Sequence, residues 1–150
     1  MRLVLQRVAT ASVEIGGVLF SSIERGLLIL VGIEKKDSEE DVDWLVNKTA
    51  SLRIFPDEEG VMNKSVMEIG GEILAVSQFT LTASTKKGNR PSYIRAAGHE
   101  IALPLYKMFC EKLSNKIGNK VKQGVFGADM QVSLINDGPV TIIMDSYLRE

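Results

Sequence analysis

Ser77-Gln78-Phe79-Thr80-Leu81 is where a strongly apolar stretch ends in polar side chains, and it is the first place in this chain where acyl chemistry could be staged. Hydroxyls and a carboxamide at a strand end can donate and accept hydrogen bonds around a reacting carbonyl, and functional groups concentrate where rigid elements run into loops. A plainer account, in which Ser77 and Thr80 satisfy backbone groups at a strand terminus, is favoured by these residue types alone. Lys86-Lys87-Gly88-Asn89-Arg90-Pro91-Ser92-Tyr93 joins cations, a glycine and an aromatic ring, as contacts to phosphates and single-stranded RNA often do. A solvated loop explains it equally well, although no acidic residue falls between Glu72 and Glu100 to balance Lys86, Lys87, Arg90 and Arg95.

Gly124-Val125-Phe126-Gly127-Ala128-Asp129-Met130 sets an aromatic ring and a thioether beside glycines. Such residues can form an apolar slot for a flat base, but Phe and Met more often belong to a core. Asn136-Asp137-Gly138-Pro139 reads as a reverse turn, and since a Gly-Pro bond is cis in only roughly 5–6% of folded cases, residue type by itself favours trans.

His99 is the only histidine and Cys110 the only cysteine. Zinc sites of the His/Cys type and intrachain disulfides are thereby excluded, and any histidine-dependent triad would have to be built on His99. His99, between Gly98 and Glu100, fits an exposed or capping position at a helix start, and Cys110 fits a small packing residue. Neither a Walker A sequence nor a dinucleotide fingerprint occurs, and nothing calls for a cofactor or a metal.

The elements that must hold these groups are legible in the apolar pattern. The start alternates as a strand does, and Val13 to Ile15 joins Val18-Leu19-Phe20 through Gly16-Gly17, a hairpin signature. Leu27 to Ile33 is apolar on both faces and predicts a buried central strand. Ser38, followed by Asp41, predicts a capped helix from about Ser38 to Leu52, with Val42, Leu45, Val46, Thr49 and Leu52 at helical spacing. Its acidic first turn suits the positive end of the helix dipole without any ligand. Arg53-Ile54-Phe55 and Ile73 to Phe79 read as strands, and Leu81 to Ser92 as a basic loop. A second helix follows from Ile101, Leu105, Phe109, Leu113 and Ile117, with Pro104 expected in its first turn. Met130 to Ile135 and Val140 to Met144 read as two strands joined by the Asn136 to Pro139 turn. The expected fold class is α/β, with mostly antiparallel sheets forming a sandwich or roll covered by two main helices.

At 150 residues, with 45% hydrophobic and 25% charged residues, the chain has the size and composition of one globular domain spanning 1–150. No apolar run approaches the roughly 20 residues of a membrane span, so no membrane role is expected. Met1 to Val8 lacks the features of a signal peptide, which predicts a cytoplasmic protein. The net charge of −1 argues against a general nucleic-acid binder and makes the local cluster of cations the informative feature.

Taken together, Gln6-Arg7-Val8, Leu52-Arg53-Ile54-Phe55, Ser77 through Leu81, Lys87-Gly88-Asn89-Arg90-Pro91-Ser92, Gly124 through Met130, and Asn136 through Thr141 resemble the D-aminoacyl-tRNA deacylase family, also called D-tyrosyl-tRNA deacylases, in the family's order and over essentially the whole chain. Tyr93 stands where phenylalanine is common, and Gly98-His99 replaces a stretch that frequently carries proline. The resemblance implies a homodimer with active sites at the subunit interface, where the Ser77 to Leu81 segment of one chain faces Gly138-Pro139 of the other. It also implies, against the residue statistics, a cis Gly138-Pro139 bond whose carbonyls exclude an L-side chain. Arg7 matches the arginine that holds this element, while Phe126 and Met130 match residues lining the pocket for the terminal adenosine. Lys86, Lys87 and Arg90 are then expected at tRNA phosphates, and Ser77, Gln78, Phe79 and Thr80 at the reacting ester.

A threonine hydroxyl is a weak nucleophile without an adjacent base. The family resemblance admits Thr80 as nucleophile, but the substrate's own 2′-hydroxyl lies beside the scissile ester and asks less of the protein, so the preferred expectation is orientation plus an oxyanion hole from amides around Phe79 and Thr80. A backbone gate without a fitted side-chain pocket would accept many D-amino acids and also glycine, including glycine mischarged on tRNA(Ala). The competing readings are a non-catalytic RNA-binding dimer, which would retain the substrate without turnover, and an esterase for small esters, which would not need the tRNA.

Overall fold

The computed structural model describes residues 1–149. β1 (Arg2–Ile15) is the organising strand: it pairs antiparallel with β3 (Gly26–Gly32) along its first half, with β2 (Val18–Ile23) along its second, and with β8 (Gln131–Asp145) along its other edge. β3 continues in parallel to β6 (Glu72–Ser77), and β6 in parallel to β7 (Lys122–Gln123). Parallel neighbours need a long crossover, and the two helices supply them: α1 (Glu39–Ser51) lies between β3 and β6, and α2 (His99–Ile117) between β6 and β7. The end strands are stitched together by Ser21 Oγ donating to Gln123 O at 3.0 Å and Lys122 Nζ donating to Ser22 O at 2.8 Å, which nearly closes the sheet into a roll. The expected helix-covered roll is thus present, with mostly antiparallel pairing as expected and parallel pairing at β3–β6 and β6–β7.

Side-chain alternation splits the core in two. Leu3, Leu5, Leu27, Ile29, Val31, Ile73 and Ala75 face the helices, where Leu45, Phe109 and Leu113 pack against them. Val8, Ala11, Val13, Leu28, Leu74 and Val76 fill the roll's interior. β3 and β6 are buried on both faces, as the continuous apolar runs required. β1 changes its buried parity between Leu5 and Val8, and its pairing with β8 is irregular at that point.

The glycine hairpin and α1 form as expected, with the Ser38 amide donating to the Asp41 carboxylate at 2.8 Å. Other details differ. The strand expected to run to Phe79 stops at Ser77, and Phe79–Thr82 forms a 3-10 turn, because β3 ends at Gly32 and the turn settles onto that glycine. Of Arg53-Ile54-Phe55 only Phe55 is in a strand, the short β4 (Phe55–Pro56) paired with β5 (Met62–Lys64), since the Ile54 carbonyl is taken by Arg7. Pro104 lies in the second turn of α2, because the helix already begins after Gly98. The two strands expected at the end of the chain are one, β8, and Asn136 to Pro139 is an irregularity within it rather than a reverse turn.

Candidate active site

The Phe79–Thr82 turn is built by short-range geometry. Gln78 N–H reaches Val31 O at 2.7 Å, anchoring the turn's start to β3, and Leu81 N–H closes back on Gln78 O at 3.2 Å. As at any helix start, the amides before the first bonded one are left over. Among the described residues, the Phe79 and Thr80 N–H groups have no backbone acceptor outside the turn, so they stay available for a ligand oxygen. Gly32 makes this position possible: a Cβ there would lie 2.8 Å from Leu81 Cβ and 3.1 Å from Gln78 O.

A cleft of about 410 Å³ opens beside the turn, lined by Ser77, Gln78 and Phe79 on one wall and by Phe126, Met130 and His99 on the other. Phe126 is held by an edge contact with His99 (centroids 5.4 Å apart) and a tilted one with Tyr106 (5.7 Å), and Gly124 leaves the room that Met130's sulfur occupies. The Tyr106 hydroxyl is anchored in turn on Ala75 O at 2.9 Å. Sequence reasoning located Phe126 and Met130 but passed over His99, which sits in the cleft although its neighbours in sequence carry no signal for it. No activation of Cys110 occurs: burial pushes its thiol up to about 12, and it lies in the helix core.

Thr80 faces a neighbouring hollow rather than this cleft, in the company of Leu81, Arg2 and the end of β8. Its Oγ1 accepts a hydrogen bond from Gln78 Nε2 at 2.5 Å. That donor is an amide, which cannot take a proton, so Thr80 has no base to activate it in this chain.

Gly138-Pro139 is exposed, and neither residue lines the cleft of its own chain. Their peptide bond is cis, as the resemblance implied and the residue statistics did not. The buried Arg7 holds the segment: Nε donates to Asp137 O at 3.0 Å and lies 3.3 Å from the Asp137 carboxylate, while Nη1 donates to Ile54 O at 2.6 Å. Asn136 Oδ1 accepts from Val140 N–H at 3.0 Å and closes the irregularity. Gly138 has φ +134°, and a Cβ there would meet Val140 Cγ2 at 2.8 Å and Arg7 Nη2 at 3.0 Å, so glycine is required on both counts. Lys86, Lys87 and Arg90 are exposed on a loop whose base is pinned by the reciprocal Ser84 and Ser92 backbone bonds of 2.8 and 2.9 Å.

The family model described as D-Tyr-tRNA(Tyr) deacylase matches residues 4–145. A D-aminoacyl-tRNA deacylase of Bacteroides thetaiotaomicron is 63% identical, and one of Phocaeicola vulgatus 61% identical, each over 100% of both chains. A solved structure named c-Myc DNA Unwinding Element Binding Protein superposes with a TM-score of 0.92 at 44% identity, covering 97% of this chain and 98% of its own. With this agreement over nearly every residue that builds the turn, the cleft and the Arg7-held segment, the chain belongs to the D-aminoacyl-tRNA deacylase family.

Proposed function

We propose that the chain, as a single domain acting in a cytoplasmic homodimer, hydrolyses the ester between a D-amino acid and the 3′-terminal ribose of tRNA. The observation that carries this reading is the pair of unclaimed amides at Phe79 and Thr80 at the edge of a mostly apolar cleft lined by Phe79, Phe126 and Met130. The terminal adenine lies between Phe126 and Met130, and the ester carbonyl is polarised by the Phe79 and Thr80 amides, each contributing on the order of 3 kcal/mol in the transition state. Water adds to the carbonyl carbon; the adjacent 2′-hydroxyl takes the water's proton and passes its own to the departing 3′-oxygen. The bond to the 3′-oxygen breaks, leaving the free D-amino acid and tRNA. Ser77 and Gln78 orient the ester, with Gln78 holding Thr80.

A second copy supports the site from outside. β8 pairs only on its β1 side among the described residues, and Ile135, Ile143 and Leu148 are 61%, 68% and 65% exposed on and just beyond it. An open, apolar edge of this length invites a partner. The exposed Gly138-Pro139 element of one subunit then serves as the gate over the other's ester, rejecting the L-side chain by contact with main-chain carbonyls. Glycine, having no side chain, passes the same gate, so glycyl-tRNA, including glycine on tRNA(Ala), is a further substrate. Complete resistance of glycyl-tRNA at enzyme levels that clear D-tyrosyl-tRNA would remove that extension.

The deciding experiment compares purified protein on D- and L-tyrosyl-tRNA, with many turnovers expected on the first and background loss on the second. Equal rates would end the chiral reading. A second reading, a nucleic-acid-binding module without turnover, is favoured by the name of the structure of 44% identity; retention of D-tyrosyl-tRNA without ester loss would establish it instead.

Two variants probe the parts. Arg7→Ala leaves the Asp137 and Ile54 carbonyls without their donor, so D-tyrosyl-tRNA hydrolysis should fall about tenfold or more, and the D-to-L rate ratio should shrink with it. An unchanged ratio in a folded variant would free Arg7 from the gate. Replacing Lys86, Lys87 and Arg90 together by Ala should raise KM about tenfold, flatten its salt dependence and leave kcat near wild type, because these cations are exposed and do not line the cleft.

A further inference from the structure

The turn that carries the Phe79 and Thr80 amides is fixed at its start by β3 and rests on Gly32 through Leu81, and the Leu81 and Thr82 carbonyls at its far end are held as well. Each is held by an arginine. Arg2 Nη1 donates to Leu81 O at 3.0 Å, and Arg95 Nη2 donates to Thr82 O at 3.2 Å. Each guanidinium is itself moored to a carboxylate on a different part of the fold. Arg2 places Nε and Nη2 on Asp145 Oδ2 at 3.0 and 2.8 Å, at the end of β8. Arg95 Nη1 lies 3.6 Å from Glu34 Oε1; Glu34 is buried and follows β3, where it bridges to Ala96. Within the turn, Thr82 Oγ1 donates to Phe79 O at 2.8 Å, so the clamped end is tied to the very peptide unit whose N–H is the Thr80 amide.

We infer that Arg2 and Arg95 are positioning residues for the deacylation: a two-sided clamp on the carbonyl end of the turn that sets the aim of the Phe79 and Thr80 amides. This rests on the proposed use of those amides as an oxyanion hole. Neither arginine touches substrate in this scheme; both act through the turn. A guanidinium is needed at Arg2, since one rigid fork spans the carboxylate and the carbonyl together, whereas a lysine ammonium on a flexible stem does not reproduce that fork. An error of about 1 Å in the aim of a catalytic group costs on the order of a hundredfold, so loss of one arm is expected to show in the chemical step.

The test uses the full chain and D-tyrosyl-tRNA under single-turnover conditions. Arg2→Ala and Arg95→Ala are each expected to lower the saturating rate about tenfold, and the double variant about a hundredfold, with half-saturating concentrations within about twofold of wild type. Arg2→Lys should behave like Arg2→Ala. Amide hydrogen exchange at Leu81 and Ala83, the bonded amides of the turn, should quicken in every one of these variants. If Arg2→Ala does not fold, Asp145→Asn removes the mooring charge with little change of shape and should give the same pattern in milder form. Saturating rates within twofold of wild type in folded variants, or a loss confined to half-saturation, would overturn the clamp while leaving the deacylase reading intact. Should wild type itself not hydrolyse the ester, that reading falls and the positioning role in deacylation falls with it, whereas unchanged exchange at Leu81 and Ala83 in the variants would overturn the clamp by itself.

Discussion

Removing the terminal 2′-hydroxyl from D-tyrosyl-tRNA is expected to slow single-turnover deacylation by about a thousandfold or more, whereas Thr80→Ala costs about tenfold or less. The asymmetry follows from what surrounds each group. Thr80 Oγ1 accepts from the Gln78 carboxamide, which cannot act as a base, and Thr80 lines the neighbouring hollow, not the cleft with Phe126 and Met130. The substrate's 2′-hydroxyl, in contrast, is carried to the ester by covalent geometry, and well-oriented intramolecular groups reach effective molarities of about 10⁵ M and above. Thr80→Ala keeps the backbone amide that polarises the carbonyl, so only the Gln78 contact is lost. Single-turnover rates on matched 2′-hydroxyl and 2′-deoxy substrates, with both proteins, measure the two effects side by side. A deoxy substrate cleaved within tenfold of the normal rate, or a folded Thr80→Ala variant with no turnover, would return the chemistry to the threonine.

Gly32→Ala carries the second large effect. The added Cβ would stand 2.8 Å from Leu81 Cβ and 3.1 Å from Gln78 O, and relief requires the turn to lift off β3, since Leu81 Cβ is one bond from the backbone. Displacing the Phe79 and Thr80 amides in this way is expected to cut the saturating rate about a hundredfold. Stability should fall by only about 1–3 kcal/mol, the usual range for overpacking, because the rest of the core is untouched. Kinetics together with a urea melt separate the two, and a folded variant that keeps its rate within threefold of wild type would show that the turn adapts without losing its aim.

Residue pattern carried the scaffold well. The continuous apolar runs of β3 and β6 required burial on both faces, the Gly16-Gly17 pair required a hairpin, and the four-residue repeat from Leu105 to Ile117 required one packed helix face. Each is a short-range property: strand and helix periods of two and 3.6 residues are written in neighbouring side chains. Ile101, expected at the head of the helical repeat, is left exposed in the first turn of α2. The Ser77 to Leu81, Phe126, Met130, Arg7 and Gly138-Pro139 segments were legible as well, but through family resemblance rather than through chemistry visible in the residues alone.

What escaped was longer in range. His99 meets Phe126 only because α2 begins where the Gly124 to Met130 segment passes. Arg2 and Arg95, far apart in sequence, converge on consecutive carbonyls. Asn136 to Pro139 has the composition of a reverse turn, yet it is an excursion within β8, because β1 pairs with Asn136 and Thr141 on either side of it and Arg7 holds Asp137 in between.

By itself, then, the order of amino acids determined the main strands and helices, which faces they bury, and that neither a His/Cys zinc site nor an intrachain disulfide can form with a single histidine and a single cysteine. Tertiary structure alone decided that the polar strand end turns into a 3-10 corner with two unclaimed amides, that Gly32 lets this corner rest on β3, and that Gly138-Pro139 stands exposed away from its own cleft. The reason is physical: apolar periodicity is a sum over near neighbours, whereas the aim of an amide depends on a few hydrogen bonds made between residues that only the folded chain brings together.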